Sequence, residues 1–249
     1  MDRPHAGDLR VTVLGSSGTY PGPGQACSGY LVRSPSATLI VDLGSGTLAA
    51  LQRHVAIADL DAVVLSHEHP DHWLDLPILR NAMRYVLDLA DLPVYGTAGT
   101  LAAARVLIGQ LEPTLRWHTV DESSRVTVGD LSLRFSRTDH PVETLAVRVD
   151  GAGRSLLYSA DTGPAWDGHG VGGGVDAFLC EASFPPEAEN RHQHLSARQA
   201  GALATAVGAA RLVLTHVTPG VDPADQRRRA AAAFDGPIEL AAPGTTFTV

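Results

Sequence analysis

The stretch VVLSHEHPDHWLDL, residues 63 to 76, constrains this chain more than any other. A continuous apolar run, Ala62 to Leu65, reads as a buried strand. His67, His69, Asp71 and His72, four ligand-type side chains, then crowd into six residues. Two imidazoles at i and i+2 on extended chain point the same way, while Asp71 and His72 sit in the following turn and can face a second ion. The bland alternative is a solvated polar loop at a helix start. Three histidines and an aspartate abutting a buried strand are costly without a cation to pair them, which favours metal ligation.

Around this stretch the chain alternates strand and helix signals. Leu9 to Leu14, Tyr30 to Arg33 and Leu39 to Val41 are β-rich runs joined by turns such as GSSGTYPGPG. A helix over Thr47 to His54 follows, then one over Trp73 to Ala90 with Leu79, Met83, Val86 and Ala90 at helical spacing, and one over Ala98 to Ile108. The second half repeats the pattern: β-rich runs at Arg125 to Phe135, Leu145 to Val149, Ser155 to Tyr158 and Ala177 to Cys180, and a buried strand at Arg211 to Leu214. Helices are expected over Ser196 to Val207, with a serine N-cap, and over Pro223 to Phe234. Gly170 to Gly174 reads as a surface loop. No linker or repeat interrupts this, so residues 1 to 249 read as one α/β domain of two sheet-plus-helix halves, two sheets packed together between outer helices.

Composition narrows the function. At 44% apolar and 18% charged residues, the 249-residue chain can bury a core and is neither disordered, collagenous nor coiled coil. Its net charge of -8, with all 19 cationic side chains arginine, gives no general attraction to a phosphate backbone, so no nucleic-acid polymer is expected as a partner. Cys27 and Cys180 form no C-x-x-C pair and read as buried thiols. The leading MDRPHAGDLR lacks the apolar stretch of a signal peptide, and no run approaches the roughly 18 apolar residues of a membrane span. A cytoplasmic protein that does not engage membranes is the expectation.

The H-x-H-x-D-H run resembles that of the metallo-β-lactamase fold superfamily, and the other positions of that pattern are present. Asp42 in LIVDLG matches its structural aspartate, His140 in SRTDHPVE its third histidine, Asp161 in LLYSADTG its bridging carboxylate, and His216 in LVLTHV its last histidine. The resemblance implies a four-layer αββα fold and two ions. One would be held by His67, His69, His140 and Asp161, the other by Asp71, His72, His216 and Asp161. Nitrogen and oxygen donors suit Zn²⁺, with Mn²⁺ or Fe²⁺ compatible by ligand type. It also implies hydrolysis by a metal-bridging hydroxide, with Asp71 among the catalytic groups. His5, His54, His118, His169 and His192 have no such context and read as ordinary residues.

Two further matches resemble the ribonuclease Z-like branch. Glu181 in FLCEASF fits the glutamate of its H-E-A-T segment, and His194 in HLSARQAG the histidine of its H-S-T segment. A carboxylate that orients an imidazole beside the metals makes a sound general acid; the plainer alternative is a pair that holds loops together. Two departures speak against transfer RNA. The branch's basic P-x-K-x-R-N loop is PGPGQA here, Pro21 to Ala26, and only 20 residues separate His140 from Asp161, too few for a protruding RNA-binding arm. The SADT segment also carries Ala160 where the branch commonly has glycine.

Across essentially the entire chain the sequence is similar to the armless actinobacterial cyclic-nucleotide phosphodiesterases of this branch. The expectation is a dinuclear zinc phosphodiesterase acting on 3',5'-cyclic nucleotides or another small phosphodiester. The alternatives are a carboxyl-ester, lactone or thioester hydrolase on the same ions, a tRNA 3' processing nuclease, or a silent binding module. Tyr20, Trp73, Arg84 and Tyr85 are candidates for the substrate pocket, with core packing as the plainer alternative. A homodimer is compatible with the resemblance.

Overall fold

The computed structural model describes residues 4–5 and 7–249; Met1 to Arg3 and Ala6, part of the leading segment read above for a signal peptide, lie outside the described residues. Two seven-stranded sheets face each other. The first contains β1 (Arg10–Gly15), β2 (Gly29–Arg33), β3 (Thr38–Leu43), β4 (Ala62–Leu65), β5 (Leu92–Gly96) and β6 (Leu115–Thr119), with the last strand, β14 (Thr246–Thr248), added beside β1. The second contains β7 (Arg125–Val128), β8 (Leu131–Arg137), β9 (Leu145–Gly151), β10 (Arg154–Tyr158), β11 (Ala177–Glu181), β12 (Leu212–Thr215) and β13 (Ile238–Leu240) in that order. Each sheet is antiparallel on one side and parallel on the other, the change occurring at β3 in the first and at β10 in the second.

Alternation along the strands makes this a sandwich. In β3, Leu39 and Val41 point into the core between the sheets, while Ile40 and Leu43 point outward to a second core. That second core is covered by α1 (Thr47–Leu51), α2 (Leu76–Ala82) and α3 (Ala98–Ile108). On the far side, Phe178, Cys180, Leu212 and Leu214 pack against α4 (Ala197–Ala206), with α5 (Pro223–Ala230) beside it over β13. The layers are therefore α, β, β, α, as the resemblance implied. The inner parallel strands β4 and β12 are apolar on both faces because both faces are covered, while β6 and β13 at the sheet edges carry exposed polar residues. Among the described residues, no helix is long and apolar enough to cross a membrane.

Several element limits differ from the sequence reading. The helix expected over Trp73 to Ala90 is two pieces, α2 and a π-helical turn at Met83–Leu87, and a separate 3₁₀ turn at Pro70–His72 precedes it. The wider π turn shifts the helical phase, so Leu79 and Met83 stay buried while Val86 turns to solvent. Arg125 to Phe135 is a hairpin, β7 and β8, joined through Gly129 at φ 56. The first helix stops at Leu51 and the last at Ala230. The sequence reading had no counterpart of β5 and β6: Pro93 and Gly96 interrupt the strand signal of β5, and Arg116 and His118 that of β6. Ser196 caps α4 in a reciprocal capping box with Gln199. The glycine loop is anchored by Val171, fully buried in the outer core. Cys27 and Cys180 are buried free thiols, and burial pushes the Cys27 thiol up to about 12.

The C-terminal ends of β3, β4, β10, β11 and β12 open on the same rim, where ligand sites of such sheets form. The chain packs tightly there. A Cβ on Gly44, just beyond β3, would overlap the carbonyl oxygen of Asp71. Gly44→Ala is therefore expected to cost about 1–3 kcal/mol by overpacking, read as a lower urea midpoint; unchanged stability would show that the loop carrying Asp71 yields freely.

Candidate metal centre

Every residue singled out as a ligand arrives from a strand end or the loop after it. His67, His69, Asp71 and His72 follow β4, His140 lies between β8 and β9, Asp161 follows β10 and His216 follows β12. The structure brings all seven together. Donor atoms of His67, His69, His140 and Asp161 lie within 4.8 Å of one another, and so do those of Asp71, His72 and His216. Asp161 stands between the groups: Oδ2 is 3.6 Å from His67 Nε2 and 3.9 Å from His140 Nε2, while Oδ1 is 3.2 Å from His72 Nε2 and 3.4 Å from His216 Nε2.

The outer ring nitrogens decide which way the lone pairs face. His72 Nδ1 donates to Asp42 Oδ2 at 2.7 Å, His140 Nδ1 to the Gln193 carbonyl at 3.1 Å, and His216 Nδ1 to Ser183 Oγ at 2.8 Å. His67 Nδ1 is 3.0 Å from Ser66 Oγ, whose proton goes to Asp42 Oδ2. The Nε2 atoms of these four histidines thus turn inward, and His69 turns its Nδ1 toward His140 Nε2, 3.1 Å away. His72 Nε2 and His216 Nε2 are 3.2 Å apart. Opposed lone pairs at that distance need a proton or a metal ion between them.

The charge balance points the same way. Asp42, Asp71 and Asp161 are all buried. Burial favours a neutral Asp161, yet the imidazoles of His216 and His72 outweigh it and hold the carboxyl well below the usual carboxylate range. Burial likewise opposes charge on His72, but the carboxylates of Asp161, Asp42 and Asp71 drive its pKa well above the ordinary value. His67 is pushed far the other way by burial and by His72, which leaves it a neutral imidazole. Its Nε2 and Asp161 Oδ1 are buried without a hydrogen-bond partner. Two orphaned donor atoms in a ring of nitrogen and carboxylate ligands fit divalent cations, whose binding displaces protons of the kind His72 carries.

Glu181, at the end of β11, is fully buried. Its Oε1 accepts from Thr162 N at 2.7 Å and from His194 Nδ1 at 2.9 Å; its Oε2 accepts from Ser183 Oγ at 2.6 Å and Leu195 N at 3.2 Å. His194 lies against the cluster, its ring centre 5.1 Å from that of His140 and 5.6 Å from that of His216. A donor atom of His194 also falls within 4.8 Å of Asp161 and His216 donors. Burial lowers the His194 pKa, but the charge and hydrogen bond of Glu181 overcome it and raise the imidazole to about 9.

The sequence reading did not single out Ser66, Ser183 or Tyr158, which act through the histidines, Asp42 and Glu181; a serine just past a strand end carries no local signal of such a role. Of the pocket candidates, Trp73 is a core residue whose indole donates to the Glu68 carbonyl. Arg84 and Tyr85 lie exposed on the π turn, and Tyr20 follows Thr19, whose amide donates to Asp71 Oδ2 at 2.8 Å. His5, His54, His118, His169 and His192 join none of the clusters. A separate groove of about 710 Å³ runs between the PGPGQA loop and α1, lined by Gln25, Arg53, His54 and Pro243. It has no convergent ligand set, so the chemistry is placed at the histidine cluster in spite of that volume.

Comparison with known proteins agrees with this fold. Residues 38–217 match the family model described as "Beta-lactamase superfamily domain". An uncharacterized protein of Mycobacterium tuberculosis strain H37Rv is 38% identical over 258 residues, covering 97% of this chain and 92% of the relative. The Ribonuclease Z of Mycolicibacterium gilvum is 31% identical over 270 residues, covering 93% of each. The crystal structure of the metallo-β-lactamase fold protein YhfI of Bacillus subtilis superposes with a TM-score of 0.91 at 29% identity, over 97% of this chain and 100% of that one.

The Glu181–His194 pair has a measurable signature. With a pKa raised from 6.5 to about 9 on folding, protonated His194 contributes its full stabilisation below about pH 6.5 and loses it as pH rises through about 9, on the order of 3 kcal/mol. NMR titration of the metal-free protein should place the His194 midpoint near pH 9, and Glu181→Gln should bring it to 6.5 or lower because only burial then acts. A wild-type midpoint near 6.5 would contradict the ion pair.

Proposed function

Because the chain belongs to the β-lactamase superfamily and is a metal-dependent hydrolase of it, we propose that it is a dinuclear phosphodiesterase for small phosphodiesters, with 3',5'-cyclic nucleotides as the preferred class. Asp161 is the shared ligand in this reading. His67, His69 and His140 complete the first site, and Asp71, His72 and His216 the second, with zinc as the ion best suited to such donors. Ions bound there supply Lewis acidity, neutralising the phosphate and lowering the pKa of water toward about 7.

The observation that carries the choice of phosphodiester is the Glu181–His194 pair. A ribose oxygen is a poor leaving group and needs a proton as its bond to phosphorus breaks. His194, held protonated by Glu181 and 17% exposed, stands where it can give that proton through Nε2, since Nδ1 is committed to the carboxylate. A thioester, whose thiolate departs readily, has less need of so strongly stabilised an acid. Similarity to a protein named for ribonuclease activity supports phosphodiester chemistry as the class, while the PGPGQA loop and the short span before Asp161 favour small substrates over tRNA.

Three outcomes test this. Purified protein should contain two transition-metal ions per chain, and Asp161→Ala should lose both; one tight ion in the wild type, unchanged in the variant, rejects the two-ion site. His194→Ala should lose roughly 10²- to 10⁴-fold on cyclic AMP and far less on bis-p-nitrophenyl phosphate, whose leaving group departs without a proton, with metal content retained. Equal losses on both substrates would make His194 a phosphate-binding or loop residue, and a fall in metal would make it a ligand. Precursor-tRNA cleavage at about 150 mM salt should be negligible beside small-phosphodiester turnover; faster hydrolysis of a lactone or of p-nitrophenyl acetate would move the assignment to carboxyl esters.

A further inference from the structure

We infer that Ser183 is a positioning residue, one buried hydroxyl through which Glu181 sets the tautomer of His216 while holding His194. The inference rests on the reading of His216 as a ligand of the second ion. Ser183 is fully buried, and its hydroxyl has a single proton to place. Its 2.6 Å contact to Glu181 Oε2 takes that proton, because a carboxylate flanked by three other donors can only accept. The hydroxyl is then an acceptor toward His216 Nδ1, 2.8 Å away. His216 must therefore carry its hydrogen on Nδ1. Its Nε2 lone pair is left facing Asp71 Oδ2 at 3.2 Å and Asp161 Oδ1 at 3.4 Å.

The same device occurs on the other sheet. Ser66 Oγ donates to Asp42 Oδ2 at 2.8 Å and lies 3.0 Å from His67 Nδ1, so each sheet has a carboxylate, serine, histidine chain ending at the cluster. The second chain does more than the first. Glu181 divides its two oxygens between His194 directly and His216 through Ser183, and the two rings lie nearly parallel, 14° apart. The group proposed to give up a proton and one proposed to hold an ion thus hang from one anchor. Removing the hydroxyl should free His216 to place its hydrogen on Nε2, where that hydrogen would block the ion.

The test is Ser183→Ala, with Ser183→Thr retaining the hydroxyl. Long-range ¹H–¹⁵N spectra of metal-free wild type at about pH 8 should show His216 as the Nδ1–H tautomer, and Ser183→Ala should shift it partly or wholly to Nε2–H. His67, anchored through Ser66, should not change. Unmoved amide signals of Thr162 and Leu195, both donors to Glu181, would show that the anchor is still in place. In metal titration the second ion should bind about 10- to 100-fold more weakly in Ser183→Ala, the first unchanged, with recovery in Ser183→Thr. An unaltered His216 tautomer in Ser183→Ala, in a protein that still binds two ions, overturns the inference alone. A wild type that takes up no second ion overturns the two-ion reading as well.

Discussion

The Asp161 carboxylate, buried between two groups of imidazoles, is the contact on which the rest of the site depends. One of its oxygens faces His67 and His140, the other His72 and His216. Such a carboxylate is unstable in an apolar interior unless cations or hydrogen-bond donors answer it. The sandwich meets that demand by ending strands from both sheets on one rim. Ligand-bearing loops from β4 on one sheet and from β8, β10 and β12 on the other converge there, and a rigid, fully covered core keeps them from spreading.

Around that centre, a layer of fixed acceptors does the orienting. Asp42 receives hydrogen bonds from Ser66, His72 and Tyr158. Because Tyr158 comes from the facing sheet, this aspartate also ties the two sheets together beneath the cluster. Glu181 does the corresponding work on the second sheet. Imidazoles anchored at one nitrogen can point the other at only one place, which is how the loops after β4, β8 and β12 produce one convergent set of lone pairs.

The turn from strand to site has a backbone cost. Asp42, Ala160 and His216 all take left-handed conformations, at φ 57, 52 and 52, in a region that disfavours residues with a Cβ by about 1–2 kcal/mol. At Ala160 this is a conformation that glycine would take without that cost. The bend there turns the chain sharply out of β10 and delivers the Asp161 side chain between the ligand groups, and the surrounding packing holds it.

Much of this was legible in the chain itself. The apolar strand running into His67, His69, Asp71 and His72 announced a metal loop through local spacing alone, and the alternation of strand and helix signals indicated the layered fold. The period of apolar residues misled at Val86, because a π turn changes helical phase without any single residue declaring it; β5 was hidden by its proline and glycine, and β6 by its polar residues. His140, Asp161, Glu181, His194 and His216 could be marked only by similarity to a known pattern, since no local rule links residues so far apart. The roles of Ser66, Ser183 and Tyr158 arose from tertiary structure: a hydroxyl becomes an orienting group only when folding places a carboxylate on one side of it and an imidazole on the other. Residue types and short spacings thus determined which chemistry was available, while the packing of two sheets decided which lone pairs meet, because their direction depends on hydrogen bonds between segments distant in the chain.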